Sequence, residues 1–271
     1  MISRERIIRG LKHPALLGRE LNRIYHTRFF TRDFNTSGID VFDQEWDQLI
    51  VLDAARYELF EDKDGISGEL DRKESRGSST VEFMRGNFRG RDLSDVVYVT
   101  GNPHLTKLRE ELDVELHEVI DVWAMEEGWS DMEDTVRPEK VVENAVLASK
   151  LYPDKQIIVH FMQPHYPFLY EGEKEIESGI PGIWHKVMRG ELDISEQEAW
   201  KGYRQTFERV WENVEDLLGF FDGKTVVTSD HGNVYNEKVS PIPVREWGHP
   251  IGIYDEKLVK VPWLVVNSDD S

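Results

Sequence analysis

The chain has 271 residues and a formal net charge of −19, with 33 Lys or Arg against 52 Asp or Glu. Its 39 % hydrophobic and 11 % aromatic residues exclude global disorder, and one α/β domain is the default for this length. Cysteine is absent, which excludes disulfides, thiolate metal sites and cysteine nucleophiles. The acidic balance argues against a nucleic-acid partner, because contacts to phosphate supply most of that affinity.

The first 32 residues differ in charge from the rest of the chain. They carry eight Lys or Arg against Glu5 and Glu20, which leaves 25 basic and 50 acidic residues, about −25, for the remainder. We interpret residues 1–32 as a basic amphipathic arm that folds onto an acidic body, and residues 33–271 as a single domain. The alternative is peripheral contact of the arm with an anionic membrane. Because neither a spanning helix nor a signal peptide is recognised, we expect a cytoplasmic protein.

Short apolar runs alternate along the chain with longer amphipathic stretches. The runs predicted as strands are Gln48–Leu52, Val96–Val99, Ile157–Phe161, Thr225–Thr228 and Val261–Val266. One helix is predicted from Pro138 toward Lys150, and another from Glu196 to Phe221, where Ser195 and Glu198 form a capping box. The pattern is typical of an α/β domain with a predominantly parallel central sheet and helices on both faces.

Polar residues stand at the ends of these strands, where open α/β sheets bind their ligands. The residues concerned are Asp53, Arg56, His165, Asp230 and His231, and His249 lies in the loop before the last strand. Carboxylate and imidazole donors suit a divalent ion such as Zn, Mn, Mg or Ca. Such a site activates a nucleophile and neutralises an oxygen-rich centre, as phosphoryl and sulfuryl transfer require, and Arg56 would add a planar cation.

Each of these residues also has a purely structural explanation. Asp53 could be a helix cap, the turn around Asp230 could lie on the surface, and His165 between two prolines could be a rigid loop residue; the doubt about His165 extends to His249. The remaining histidines considered are interpreted as structural or surface residues: His13, His26, His104, His117 and His185.

Four segments carry a resemblance to a known family, and they are LIVLDAARYELF, HFMQPHYPF, VTSDHG and EWGHP with the following VKVPWLVV. Spread over residues 46–266, they resemble the alkaline phosphatase superfamily, in particular its sulfatase-like branch and the short sulfatase-like proteins of halophilic archaea. VTSDHG is the most specific match. The resemblance implies that Asp53, Asp230 and His231 hold one metal ion. It further implies that His165 and His249 serve a second ion or contact the ester.

The nucleophile departs from the sulfatase pattern. The Cys/Ser-x-Pro/Ala-x-Arg motif that matures to formylglycine is absent, so formylglycine chemistry is not expected. Phosphotransferase relatives use an unmodified Thr or Ser at a similar distance after the first Asp, which makes Thr80 our candidate, followed by Ser79 and Ser78. The alternative is a Gly-Ser loop with helix caps. Glu58 stands where many relatives have a second Asp.

These observations predict a metal-dependent hydrolase of sulfate or phosphate esters that acts on a small molecule or a glycan. Metal ligands are predicted at Asp53, Asp230, His231 and His249. Thr80, or a water activated by the metal, is predicted to attack, while His165 and Arg56 stabilise the developing charge. Two rival hypotheses stay open: a phosphoryl- or sulfo-group transferase acting on a glycan or lipid, and an inactive sulfatase-like binding protein. The sequence makes no prediction of oligomeric state.

Overall fold

The computed structural model describes residues 14–63, 65–170 and 175–268. Within these ranges the helices are α1 (Pro14–His26), α2 (Tyr57–Glu61), α3 (Thr80–Phe88), α4 (His104–Leu112), α5 (Pro138–Leu151), α6 (Ile183–Met188), α7 (Glu196–Leu218) and α8 (Glu256–Val259). The strands are β1 (Gln48–Asp53), β2 (Glu69–Glu74), β3 (Asp92–Thr100), β4 (Glu115–Asp121), β5 (Trp129–Ser130), β6 (Thr135–Val136), β7 (Gln156–Pro164), β8 (Lys224–Ser229), β9 (Val234–Val239), β10 (Val244–Gly248) and β11 (Lys260–Asn267).

Seven strands form the central sheet, in the spatial order β2-β11-β8-β1-β7-β3-β4. Neighbours from β8 to β4 pair in parallel, and β11 alone runs against both of its neighbours. Strands β1, β7 and β8 occupy the middle, so their carboxyl ends meet at one edge of the sheet. The predicted architecture, a predominantly parallel sheet between helices, is confirmed.

The sheet is buried on both faces. In β1, Ile50 and Leu52 belong to one apolar cluster and Leu49 and Val51 to the other, all at most 1 % exposed. Helices α5 and α7 contribute to the first cluster, and α3 and α4 to the second. Burial on both faces explains why the central strands are continuous apolar runs without alternation.

Element boundaries follow local signals where such signals exist. Helix α7 begins with the predicted capping box: the Glu198 amide donates to Ser195 Oγ at 3.2 Å and the Ser195 amide donates to Glu198 Oε2 at 2.7 Å. Helix α5 begins at Pro138, also as predicted. Strands β2 and β4 escaped prediction because they are the two edges of the sheet, where charged, exposed sequences are the rule.

Helix α1 lies against β10. The Asn22 amide group donates to the Ile242 carbonyl at 2.9 Å and accepts from the Ile242 amide at 2.8 Å, and Arg19 pairs with the buried Glu246. The division into an arm at 1–32 and a domain at 33–271 stays a prediction, since residues 1–13 lie outside the described residues. None of the described helices is long and apolar enough to cross a membrane.

Candidate metal centre and nucleophile

Two carboxylates meet at the carboxyl edge of the sheet because β1 and β8 are parallel neighbours. Asp53 is the last residue of β1, and Asp230 directly follows β8. The residues that precede them, Leu52 and Ser229, pair with each other across the two strands. His160 reaches the same place from β7, on the other side of β1, where it pairs with Val51. All three functional side chains are at most 3 % exposed.

Among the described residues, one possible ligand atom from each of these three side chains has no hydrogen-bond partner. These atoms are Asp53 Oδ1, Asp230 Oδ2 and His160 Nε2. Ligand atoms of the three residues lie within 4.8 Å of one another. The second oxygen of each carboxylate is occupied: Asn102 Nδ2 donates to Asp53 Oδ2 at 2.7 Å, and the Ala54 amide donates to Asp230 Oδ1 at 3.0 Å. Each carboxylate is therefore held with one oxygen turned to the shared space.

His231 adds a fourth donor to this space. Its Nδ1 lies 2.8 Å from the Gly232 carbonyl oxygen, which only accepts, so Nδ1 carries a proton and Nε2 is the nitrogen turned to the shared space. Nε2 lies 3.5 Å from Asp53 Oδ1 and 3.5 Å from Asp230 Oδ2. In His160, Nδ1 is 2.6 Å from the Tyr98 hydroxyl, which orients the ring. Such outer contacts are what metal-binding imidazoles usually have.

The charges of the buried groups also suit a cation. Burial and the neighbouring Asp230 raise the pKa of Asp53 well above its usual value. Burial opposes ionisation of Asp230, yet His231 and His160 hold its pKa below the usual value. Burial lowers the pKa of His160 to about 4, so the ring is neutral near pH 7. Two carboxylates and two imidazoles with convergent ligand atoms fit a divalent ion.

Thr80 lies beside these donors as the first residue of α3. Its hydroxyl oxygen is 3.4 Å from His231 Nε2, and the residue is 4 % exposed. The loop before it is tight: a Cβ on Gly77 would lie 2.4 Å from the Phe83 amide nitrogen, so only glycine fits there. Ser78, by contrast, donates its hydroxyl to Glu82 at 2.6 Å. Among the candidate hydroxyls, Thr80 is therefore the one in hydrogen-bond contact with His231, at the positive end of a helix.

His165 and His249 form a second pair next to the cluster. Their Nε2 atoms are 2.9 Å apart, and both Nδ1 atoms are buried without a partner. The ring of His249 stacks on that of His231, with centroids 4.4 Å apart. Burial lowers the pKa of His165 to about 4 and holds that of His249 well below its usual value, so one neutral ring donates to the other. The structure thus brings together every sequence-predicted site residue except Arg56.

Comparisons with known proteins concern the fold. Neither a protein-family model nor a curated protein sequence matches the chain. The integral membrane protein lipooligosaccharide phosphoethanolamine transferase A from Neisseria meningitidis superposes with a TM-score of 0.53 at 13 % identity, over 81 % of this chain and 47 % of that chain. The soluble domain of the same transferase gives a TM-score of 0.50 at 11 % identity, over 81 % of this chain and 75 % of that chain.

Two further solved structures carry the names of the wider group. A 2-O GAG sulfatase has a TM-score of 0.48 at 11 % identity, over 81 % of this chain and 63 % of that chain. A protein in the alkaline phosphatase superfamily from Vibrio parahaemolyticus has a TM-score of 0.41 at 12 % identity, over 94 % of this chain and 69 % of that chain. The chain shares its fold with phosphoethanolamine transferase A. It spans about half the length of the full-length transferase.

The guanidinium of Arg56 has partners other than the candidate metal ligands. Its guanidinium donates to Glu58 at 2.6 Å and to Glu237 at 2.7 Å, and it lies 5.0 Å from the ring of Trp200. Within the described residues its hydrogen bonds go to these carboxylates and to the Asn233 carbonyl. Glu58, the residue that departs from the family pattern, is thus a partner of Arg56.

Sequence reasoning missed two residues of the site. His160 was taken only as part of a strand, although a histidine inside a run buried on both faces is itself a signal. Asn102 stands just beyond β3, so the same rule that selected Asp53 applies to it. His104, interpreted as structural or surface, lies 2.7 Å from Asn102 through Nδ1 and Oδ1.

Proposed function

We propose that the chain is a metal-dependent enzyme that cleaves a phosphate ester by attack of the Thr80 hydroxyl on phosphorus. The observation that carries this proposal is the convergence of four donors, from Asp53, Asp230, His231 and His160, beside that hydroxyl. A divalent ion bound there would supply positive charge that lowers the pKa of the hydroxyl and neutralises the transferred group. Two imidazoles among the ligands favour Zn or Mn over Mg or Ca.

The residues of the chain divide the reaction into two displacements. In the first, Thr80 Oγ1 releases its proton to solvent and bonds to phosphorus, while the bond from phosphorus to the ester oxygen breaks. The departing oxygen takes a proton from water. His165 and His249 lie beside His231, where either imidazole could orient that water or contact the ester. The first-turn amides of α3, which begins at Thr80, would lie close to a phosphate bonded to Thr80 Oγ1. In the second displacement an acceptor oxygen attacks phosphothreonine and restores Thr80.

Water is the acceptor in our first candidate, a phosphate ester hydrolase. An unmodified hydroxyl nucleophile favours phosphate over sulfate, since the formylglycine motif is missing. The decisive experiment follows free phosphate from aryl phosphate mono- and diesters, with aryl sulfate in parallel, after loading with Zn or Mn. Mass spectrometry of quenched enzyme should find about one phosphate on Thr80.

Matched variants locate the nucleophile. We expect Thr80→Ala to lose turnover while it keeps its metal, and Ser79→Ala to retain both. Full turnover in Thr80→Ala would overturn the covalent route, and loss in Ser79→Ala alone would move the nucleophile by one residue. A wild-type chain without metal and without turnover would favour the rival hypothesis of an inactive binding protein.

A second candidate, transfer to a lipid or glycan alcohol, is favoured by an exposed apolar row on α1. Leu17, Leu21 and Tyr25 follow at four-residue spacing and are 45 %, 46 % and 52 % exposed, and Phe29 beyond the helix is 80 % exposed. Helix α1 contacts β10 and the residues before it through Asn22 and Arg19, and β10 leads directly to His249. A membrane that binds the exposed apolar row of α1 would therefore bring lipid close to the site.

Vesicles of anionic and of neutral lipid test this second candidate. The transferase would be selected if the protein cosediments with anionic but not with neutral vesicles and if the phosphate is transferred to an added lipid alcohol. Free phosphate regardless of acceptor would select the hydrolase. The cytoplasmic location and the resemblance to proteins of halophilic archaea stay predictions from the sequence.

A further inference from the structure

Asn102 and His104 form a hydrogen-bonded chain that ends on Asp53. Asn102 Nδ2 donates to Asp53 Oδ2 at 2.7 Å, and Asn102 Oδ1 accepts from the His104 amide at 2.9 Å and from His104 Nδ1 at 2.7 Å. Asn102 is fully buried, and His104 is partly buried. This series of hydrogen bonds thus runs from His104 at the edge of the site to Oδ2 of Asp53, a candidate metal ligand.

The geometry points to Asn102 as the residue that positions Asp53 for metal binding, with His104 as the residue that sets the direction of the Asn102 amide. This inference rests on the proposed function, because it assumes that Asp53 holds a metal ion. Neither residue is inferred to touch the ion. Both are inferred to act through the Asp53 carboxylate.

The direction of the Asn102 amide follows from its partners. Two N–H groups of His104 face its oxygen, so a flipped amide would set its own N–H groups against them. A flip would also turn the amide oxygen toward the carboxylate of Asp53, where the two acceptors repel each other. His104 therefore keeps the Asn102 donor on Asp53.

The backbone around Asn102 is held independently of the metal site. The Asn102 amide donates to Thr100 Oγ1 at 2.8 Å, and that hydroxyl donates back to the Asn102 carbonyl at 2.8 Å. The Gly101 amide donates to the His160 carbonyl at 2.9 Å. The side chain of Asn102 thus extends from a fixed base, and changing it should leave the loop in place.

Occupation of Asp53 Oδ2 has a consequence for Oδ1. With Oδ2 bonded to Asn102, the carboxylate cannot rotate freely, and Oδ1 stays turned toward His231 Nε2, 3.5 Å away. Outer partners of this kind commonly change metal affinity by about 10- to 100-fold.

The test is metal affinity of the full chain, measured with Mn by electron paramagnetic resonance and with Zn by competition against a chromophoric chelator. Asn102→Leu keeps the volume and removes the donor, and we expect its Kd to rise by about 10- to 100-fold. His104→Leu should weaken binding by about tenfold. His104→Asn places a donor where Nδ1 was and should restore the Kd to within about threefold of wild type, a rescue that a role in loop packing would not show.

Each outcome separates this inference from the proposed function. Wild-type affinity in both Asn102→Leu and His104→Leu would overturn the inference and leave the proposed function standing. A wild-type chain that binds no metal would overturn the proposed function and the inference with it. Should Asn102→Leu fail to fold by far-UV circular dichroism, the pair His104→Leu and His104→Asn decides: equal affinities for the two would overturn the inference.

Discussion

Replacing Asp230 by Asn separates metal binding from folding at this site. The Oδ1 atom of Asp230 accepts from the amides of Ala54 and His231 at 3.0 and 2.9 Å, and an asparagine oxygen can keep both bonds. Its Oδ2 has no hydrogen-bond partner and faces Asp53 across the shared space. The Asn variant carries an amide nitrogen at that position, so the negative charge of Asp230 next to Asp53 is removed. The new amide could donate to His231 Nε2, which lies 3.5 Å from Oδ2 in the wild type.

The expected effects have opposite signs with and without metal. In chelator, Asp230→Asn should be at least as stable as wild type, because it removes the repulsion between the buried Asp53 and Asp230 carboxylates that raises the pKa of Asp53. At a metal concentration of about 100 times Kd, wild type should gain about 2.7 kcal/mol. For a chain of this size that corresponds to a Tm rise of roughly 5 to 10 °C. The variant, lacking a charged ligand, should gain less than about 1 kcal/mol.

Differential scanning calorimetry with chelator and then with excess Zn or Mn measures both quantities. Asp216→Asn, a change at an exposed position on α7, is the matched control and should stay within about 0.5 kcal/mol of wild type in both conditions. An equal Tm rise in Asp230→Asn and wild type would refute the reasoning, since the ion would then bind elsewhere. A metal-free variant clearly less stable than metal-free wild type would refute the account of the buried charge.

Three further outcomes are expected. Thr80→Ala should lower kcat by at least about 1,000-fold without changing metal content, while Thr80→Ser should retain measurable turnover. Stopped-flow kinetics and metal analysis measure the two quantities. Equal turnover in the two variants would contradict a nucleophilic role for Thr80. Tyr98→Phe removes the partner of His160 Nδ1, so metal Kd should rise about tenfold in a chelator competition, and an unchanged Kd would show that His160 is not a ligand. If α1 binds lipid, Leu21→Glu combined with Phe29→Ser should weaken binding to anionic vesicles at least about tenfold, measured by cosedimentation. Wild-type binding by this double variant would exclude the exposed apolar row of α1 as the lipid-binding face.

Local patterns were enough to predict the architecture. The central strands contain runs of buried apolar residues, and a capping box and a first-turn proline mark α7 and α5, so each could be identified from neighbouring residues alone. The carboxylates and His231 were found because they directly follow buried strands, where the topology of an open sheet brings chain ends together. Edge strands β2 and β4 lack that local signal, since their charged sequences resemble loops.

Side-chain direction was decided only by the tertiary structure. Arg56 was predicted to stabilise charge at the site, yet its guanidinium lies between Glu58 and Glu237, the second of which is 181 positions away in the chain. His160 was missed because an apolar strand gives no sign of which of its residues ends beside a carboxylate on the neighbouring strand. The sequence by itself determined which strands form and which polar residues end them, because those signals are periodic and local. The folded sheet decided which donors converge, because that depends on strand order and on contacts between residues far apart in the chain.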